Sequence, residues 1–80
     1  MNIQPWRRYS RDQIRKIIFK RLLGYPFGVT ISKLSKDMNL SRIVVREEIN
    51  KLYWLEMIRI VKIGNIRLFI RKQYFNKRYK

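Results

Sequence analysis

The sequence predicts an α+β fold in which three helices are followed by a small antiparallel sheet, all within a single domain of 80 residues. Two observations support this fold class. Apolar residues recur at helical spacing behind good capping residues, and two strongly apolar runs flank a Gly-Asn pair. Hydrophobic residues make up 46% of the chain, which argues against a disordered basic tail. The core is predicted over residues 10–71, with basic and aromatic arms at 1–9 and 72–80.

The first helix is predicted to begin after Ser10, because Ser10 and Gln13 have the spacing of a capping box. Its apolar positions recur at helical spacing, and Gly24 is expected to end it in a left-handed conformation. The apolar positions of this helix are Ile14, Ile17, Ile18 and Leu22.

The next segment predicts a turn at 25–28, a short β-branched strand at 29–31 and a second helix that Ser32 caps and that runs through Met38. Ser41 is expected to cap a third helix that ends near Leu55. Val45, Ile49 and Leu52 of this helix share one face and are predicted to lie in the core.

A β-hairpin is predicted over residues 58–63 and 66–71, joined by Gly64-Asn65 in a type II′ turn. In the second strand Ile66, Leu68 and Ile70 are expected to point inward, while Phe69 and the arginines point outward. Residues 72–80 have no helical or strand periodicity, so no regular structure is predicted for them.

This order of elements resembles a winged helix-turn-helix domain with a short, two-residue wing. The resemblance rests on residues 29–35, 38–41 and 44–45, followed by Ile49, Leu52 and 57–58. The family usually has Gly between the third helix and the wing, where this chain has Glu56. The resemblance implies binding of double-stranded DNA by a transcription regulator, and the composition is similar to that of small regulators from archaeal viruses and plasmids.

The charge of the chain is strongly positive, with 20 Lys and Arg against 5 Asp and Glu and a net charge of +15. Residues 1–30 carry +6, residues 31–57 carry +1 and residues 58–80 carry +8. Such an uneven distribution indicates that the ends of the chain contact a polyanion. The alternative is a solvated basic surface that has no partner.

Several function classes are excluded by residue counts. The chain has no Cys and no His, which excludes zinc modules and disulfide-stapled secreted domains. It also lacks a glycine-rich phosphate loop and a plausible nucleophile–base pair, so we expect no enzyme, no cofactor, no metal and no small-molecule ligand. Its longest uncharged stretch, 22–32, is too short to span a membrane, and 1–9 lacks a signal-peptide core, so a cytoplasmic location is expected.

The third helix is expected to enter the major groove, because its exposed arc carries residue types that contact base edges. For Glu47 the alternative is an ion pair with Lys51 four residues later. The predicted DNA contacts lie on this helix and its cap, and near the start of the second helix. They are Lys33, Ser41, Arg42, Ile43, Val44, Arg46, Glu47, Asn50 and Lys51.

Lys62 and Arg67 bracket the hairpin turn and are predicted to contact the phosphate backbone or the minor groove; their alternative role is protection of the sheet edge. Arg7 and Arg8, beside Trp6 and Tyr9, are predicted to follow the backbone as an arm, unless the aromatic residues pack on the domain itself. The carboxy-terminal residues 77–80 have the same basic and aromatic mix.

Aromatic residues without an evident core position predict a homodimer. The alternative is that Trp54 covers a gap beside the hairpin or the amino-terminal arm. The residues assigned to this interface are Trp6, Tyr53, Trp54, Tyr74 and Phe75. For the function as a whole, two alternatives stay open beside a sequence-specific regulator: a non-specific architectural DNA binder, and a module that binds protein or RNA.

Overall fold

The computed structural model describes residues 5–78 and has an α+β fold, with four α-helices and one antiparallel two-stranded sheet in this part of the chain. Residues 1–4 and 79–80, which belong to the two predicted arms, lie outside the described residues. Short 3₁₀ turns occupy Pro5–Arg8 and Leu22–Gly24. The elements are α1 (Arg11–Arg21), α2 (Ile31–Met38), α3 (Arg42–Trp54), β1 (Ile58–Ile63), β2 (Ile66–Arg71) and α4 (Lys72–Arg78).

Helix α1 begins at the predicted capping box. The Gln13 amide donates to Ser10 Oγ at 3.2 Å, and the Ser10 amide donates to Gln13 Oε1 at 2.8 Å. Gly24 is not left-handed, so the predicted end of this helix is wrong. The chain tightens into a 3₁₀ turn instead, and the Tyr25 amide donates to the Leu22 carbonyl at 3.1 Å, which satisfies a terminal carbonyl without a left-handed residue.

Helix α2 is capped by Thr30 and not by Ser32 as predicted. The Lys33 amide donates to Thr30 Oγ1 at 3.1 Å, so the helix begins two residues earlier than expected. The predicted strand at 29–31 is therefore reduced to one bridge, in which Val29 and Phe69 exchange backbone hydrogen bonds of 3.0 and 2.8 Å. Thr and Ser are both good caps, and Thr30 forms the cap because it directly follows the bridging residue.

Helices α2 and α3 both end in a Schellman motif, in which one residue is left-handed and the next amide reaches back to the last turn. Asn39 has φ 53° after α2, and Glu56 has φ 58° after α3. The Met57 amide donates to the Leu52 carbonyl at 3.0 Å. Glu56 thus adopts the conformation for which glycine is usual at this junction.

The hairpin has the predicted strands, and Ile58 pairs with Arg71 at its base while Ile63 pairs with Ile66 at its tip. Gly64 has φ 61° and Asn65 a negative φ, which is the pattern of the predicted type II′ turn.

The predicted orientation of β2 is wrong in part. Phe69, expected to point outward, is only 6% exposed and belongs to the hydrophobic core, whereas Ile66, expected inside, is 53% exposed. Ile70 is fully buried, as predicted. Both faces of this strand are buried near its base, because Phe69 packs into the core formed with the helices and Ile70 on the other face is fully buried as well.

The core lies where α1, α2 and α3 meet the base of the hairpin. It contains the predicted face of α3 and the apolar stripes of the two preceding helices. Its buried residues are Ile14, Ile18, Leu22, Val29, Leu34, Met38, Leu40, Val45, Ile49, Leu52, Ile58 and Phe69.

Helix α4 was not predicted, and its presence raises the helix count from the expected three to four. Its contacts with the segment between α1 and α2 explain why it forms. Tyr74 Oη donates to the Leu23 carbonyl at 2.9 Å, and the Arg78 guanidinium lies 3.8 Å from the centre of the Phe27 ring. Tertiary anchoring of this kind leaves no periodic signal in the sequence.

Candidate nucleic-acid interface

The exposed side of α3 carries four of the residues predicted to contact DNA. Arg42, Ile43, Arg46 and Asn50 are all exposed, and Ile43 keeps 62% of its surface accessible. Ser41 caps the helix, since the Val44 amide donates to Ser41 Oγ at 3.2 Å. The first turns of α3 therefore project polar and apolar side chains into solvent from a fixed starting point.

Two other residues predicted on this surface make contacts within the protein. Val44 is half-buried and packs against the core. Glu47 accepts a hydrogen bond from Arg11 Nη1 of α1 at 2.7 Å. This hydrogen bond lowers the pKa of the Glu47 carboxyl and raises the pKa of the Arg11 guanidinium. Glu47 therefore forms an ion pair within the structure, as its alternative role expected, but the partner is Arg11 and not Lys51.

Lys51 instead contacts Glu48, a residue that the sequence analysis did not single out. The Glu48 side chain is fully buried and lies 3.1 Å from Arg11, 3.4 Å from Arg15 and 3.2 Å from Lys51. Three cations thereby compensate one buried carboxylate, which sets the position of α3 against α1. Helical spacing could have found Glu48, because it lies beside the apolar face formed by Val45, Ile49 and Leu52, where an acid requires basic partners from another helix.

A groove of about 480 Å³ lies between α3 and the hairpin. Arg46 and Asn50 line its helical side, while Asn65 and Arg67 line it from the hairpin. The fold thus brings together predicted site residues that are up to 21 positions apart in the sequence. Such a groove offers hydrogen-bond donors from two elements to one elongated partner.

A second open groove, of about 580 Å³, runs along α2 to the start of α3. It is lined by Lys33 and Arg42, both predicted, and by Lys36, which the sequence analysis missed. Lys36 follows Lys33 at a spacing of three, which places both on one helical face. Beside this groove, a hydrogen bond from the Tyr25 hydroxyl lowers the pKa of Asp37, and Asp37 also pairs with Lys33 at 3.5 Å.

The hairpin tip has two different faces. Lys62 and Arg67 are a directly opposed cross-strand pair, and both are exposed. Ile63 and Ile66 form the next pair towards the turn and lie on the other face, because successive side chains of a strand alternate. The predicted cationic bracket around the turn therefore exists as one spatial pair.

The amino-terminal segment packs on the domain through its tryptophan. Trp6 Nε1 donates to the Met38 carbonyl at 2.6 Å, and the Trp6 and Tyr9 ring centres are 5.5 Å apart. Arg7 and Arg8 are exposed. Trp6 therefore packs on the domain's own surface, as the alternative expected, while the two arginines are accessible to a partner.

The five residues predicted for dimerisation lie in three places. Trp6 lies near the start of α3, whereas Tyr53 and Trp54 are in its last turn, with ring centres 5.9 Å apart. Tyr74 and Phe75 are half-buried on α4. Trp54 is 80% exposed, so within the described residues it does not cover a gap beside the hairpin.

Within residues 5–78, no group of three acidic side chains is placed to hold a metal ion, and no helix is long and apolar enough to cross a membrane. No model of a known protein family matches the sequence, and no curated protein is significantly similar to it.

Proposed function

We propose that this chain is a winged helix-turn-helix protein that binds double-stranded DNA sequence-specifically and regulates transcription by occupying its site. The observation that carries the proposal is the groove in which Arg46 and Asn50 of α3 lie opposite Arg67 of the hairpin. The protein would act without catalysis, and it would bind its DNA in the cytoplasm.

The shape of α3 supports insertion into the major groove. Its 13 residues span about 20 Å, and the major groove is wide enough to admit one α-helix. Asn50 can pair with adenine, Arg46 with guanine, and Ile43 can contact a thymine methyl. These three exposed residues are the ones to which we assign sequence preference.

The surrounding cations support contacts with phosphate on both sides of α3. Lys33, Lys36 and Arg42 line the groove along α2, while Lys62 and Arg67 form the pair at the hairpin tip. Contacts of this type position a protein on the duplex without reading its sequence. We expect roughly 5 to 8 phosphate contacts per protomer, each adding about −0.9 to the slope of log K against log salt.

Selection of bound sequences from a random duplex pool, followed by competition binding at fixed salt, tests base recognition. Arg46→Ala and Asn50→Ala should each reduce the preference for the selected site towards the level of random DNA, because a good bidentate contact contributes about 1 to 3 kcal/mol of discrimination. Lys16→Ala is the matched control, since it removes one exposed charge from α1. Unchanged preference in both α3 variants would favour the architectural alternative, which the net charge of +15 also supports.

The role of the hairpin pair is tested separately. Lys62→Ala and Arg67→Ala should weaken specific and random duplexes equally and lower the salt slope by about one unit each. A salt slope near zero for the wild type, or stronger binding to structured RNA than to any duplex, would reject DNA as the partner.

A further inference from the structure

The hairpin tip exposes an apolar pair that the proposed phosphate contacts do not use. Ile63 and Ile66 are 57% and 53% exposed and directly opposite each other in the sheet register. Side chains of an opposed pair lie on the same face, with Cβ atoms about 5 Å apart. Their exposed surfaces therefore form one continuous apolar patch directly beside the turn.

The charges around this patch favour an anionic partner. On the opposite face of the same strands lies the cationic pair of Lys62 and Arg67. Residues 58–71 contain four cations and no acidic residue. A second copy of this chain, which carries +15, would bring positive charge against positive charge, whereas a polyanion is attracted to the same tip.

The turn is narrow enough to enter a confined space. It consists of two residues, and Gly64 has no side chain. The minor groove of DNA is about 6 Å wide. Proteins that bind there insert isoleucine and other apolar side chains between base steps, and they bend the duplex by about 20–90°.

We propose that Ile63 and Ile66 act as an apolar wedge, which inserts between two base pairs in the minor groove and bends the duplex towards the major groove. Asn65 and Ile66 line the same groove as Arg46 and Asn50, so the tip lies beside the base-contacting side of α3. The wedge rests on the proposed function, because it acts on DNA that α3 already holds. It adds a deformation of the DNA to the base contacts.

The wedge is tested with a duplex that contains the selected site. A dye pair at its ends reports the end-to-end distance, and 2-aminopurine at successive positions reports unstacking. Wild-type protein should shorten the distance between the ends and raise 2-aminopurine fluorescence at one step. The double variant Ile63→Thr/Ile66→Thr keeps β-branched residues in both strands, so the hairpin should still form. The double variant should lose both signals. Its affinity for the duplex should fall by less than about tenfold, because the cost of unstacking the bases disappears together with the wedge.

The salt slope of the double variant should equal that of the wild type, because the substitutions remove no cation. Leu23→Thr is the matched control, since Leu23 is 42% exposed but lies outside the hairpin and outside the proposed interfaces, and it should bend DNA as the wild type does. The single variant Ile66→Thr serves if the double variant melts below the assay temperature.

The wedge is overturned if the wild-type protein binds the duplex and leaves it straight, or if the double variant still bends it. In both cases the proposed function stands. Loss of a DNA-independent self-association in the double variant would assign the isoleucine pair to a second copy of the chain. Failure of the wild type to bind any duplex would reject the proposed function and the wedge together.

Discussion

At the scale of single residues, Glu56 determines how the chain leaves α3 for the hairpin. It is left-handed, with φ 58°, and the Met57 amide that follows it closes the Schellman motif. A residue with a Cβ atom pays roughly 1–2 kcal/mol for this conformation. The fold therefore contains backbone strain at the junction between its two predicted DNA-contacting elements.

Replacement of Glu56 by glycine should raise the free energy of unfolding by about 1 kcal/mol, because the Cβ strain disappears and part of the gain is lost to the greater freedom of glycine in the unfolded chain. Chemical denaturation measures this change. Glu56→Ala removes the same carboxylate but keeps Cβ, and it should give no comparable gain. An equal gain with alanine would mean that the charge, and not the backbone, was the source.

Capping residues show what the sequence could and could not predict at this scale. Ser10 and Ser41 were identified correctly, since Ser10 begins a capping box with Gln13 and Ser41 lies four residues before Val45, the first residue on the apolar face of α3. The choice between Thr30 and Ser32 was wrong, because it depends on where the chain leaves the bridge between Val29 and Phe69. That bridge joins residues 40 positions apart, beyond the range of any local pattern.

At the scale of elements, the ion cluster around Glu48 joins α1 to α3. Arg11 extends from α1 to both Glu47 and Glu48, and Arg15 reaches Glu48 from one turn further along. The cluster fixes which arc of α3 remains exposed, and thus which residues are available for the proposed contacts with bases.

Glu48→Gln should lower the free energy of unfolding by about 1.5 to 3 kcal/mol, because the cations of both helices lose their charged acceptor while the shape of the side chain is kept. Thermal and denaturant melts measure the loss. Glu47→Gln makes the same change at an exposed position and should cost much less. A loss in Glu47→Gln as large as that in Glu48→Gln would contradict the assigned role of the buried carboxylate.

The hairpin and α4 differ in how far they could be predicted. The Gly64-Asn65 turn and the flanking strands are a local signal, and the structure confirms both strands. Helix α4 is held by Tyr74 and Arg78 against residues that lie about 50 positions earlier, so no periodicity within 72–80 reveals it. The orientation of β2 was predicted wrongly for the same reason, since Phe69 is buried by packing with residues of distant helices.

At the scale of the whole molecule, the homodimer remains a prediction, and Tyr53 and Trp54 are its strongest candidates. Both are exposed at the end of α3, with Leu55 beside them at 59% exposure. A charge of +15 on each copy opposes association in free solution, and DNA would neutralise it. We therefore expect pairing on DNA rather than a stable free dimer.

Sedimentation should find the free protein monomeric, and an inverted repeat should bind two copies more tightly than two separated half-sites do. Trp54→Ser should abolish this cooperativity and leave the affinity for one half-site unchanged, because Trp54 lies outside the first turns of α3, which are proposed to contact bases. Independent binding of two wild-type copies to the inverted repeat would contradict a dimer through this surface.

The paired acids have a consequence for the lifetime of the protein. Asp12, Asp37, Glu47 and Glu48, four of the five acidic residues, are already paired with neighbouring cations, so little acidic charge is left within the described fold to offset the excess of +15. Self-repulsion weakens the compact state, and a ligand that binds only this state stabilises it by about 2.7 kcal/mol at one hundred times its Kd. Copies bound to a polyanion should outlast free copies under proteolysis, which would couple the abundance of the protein to the number of sites it occupies.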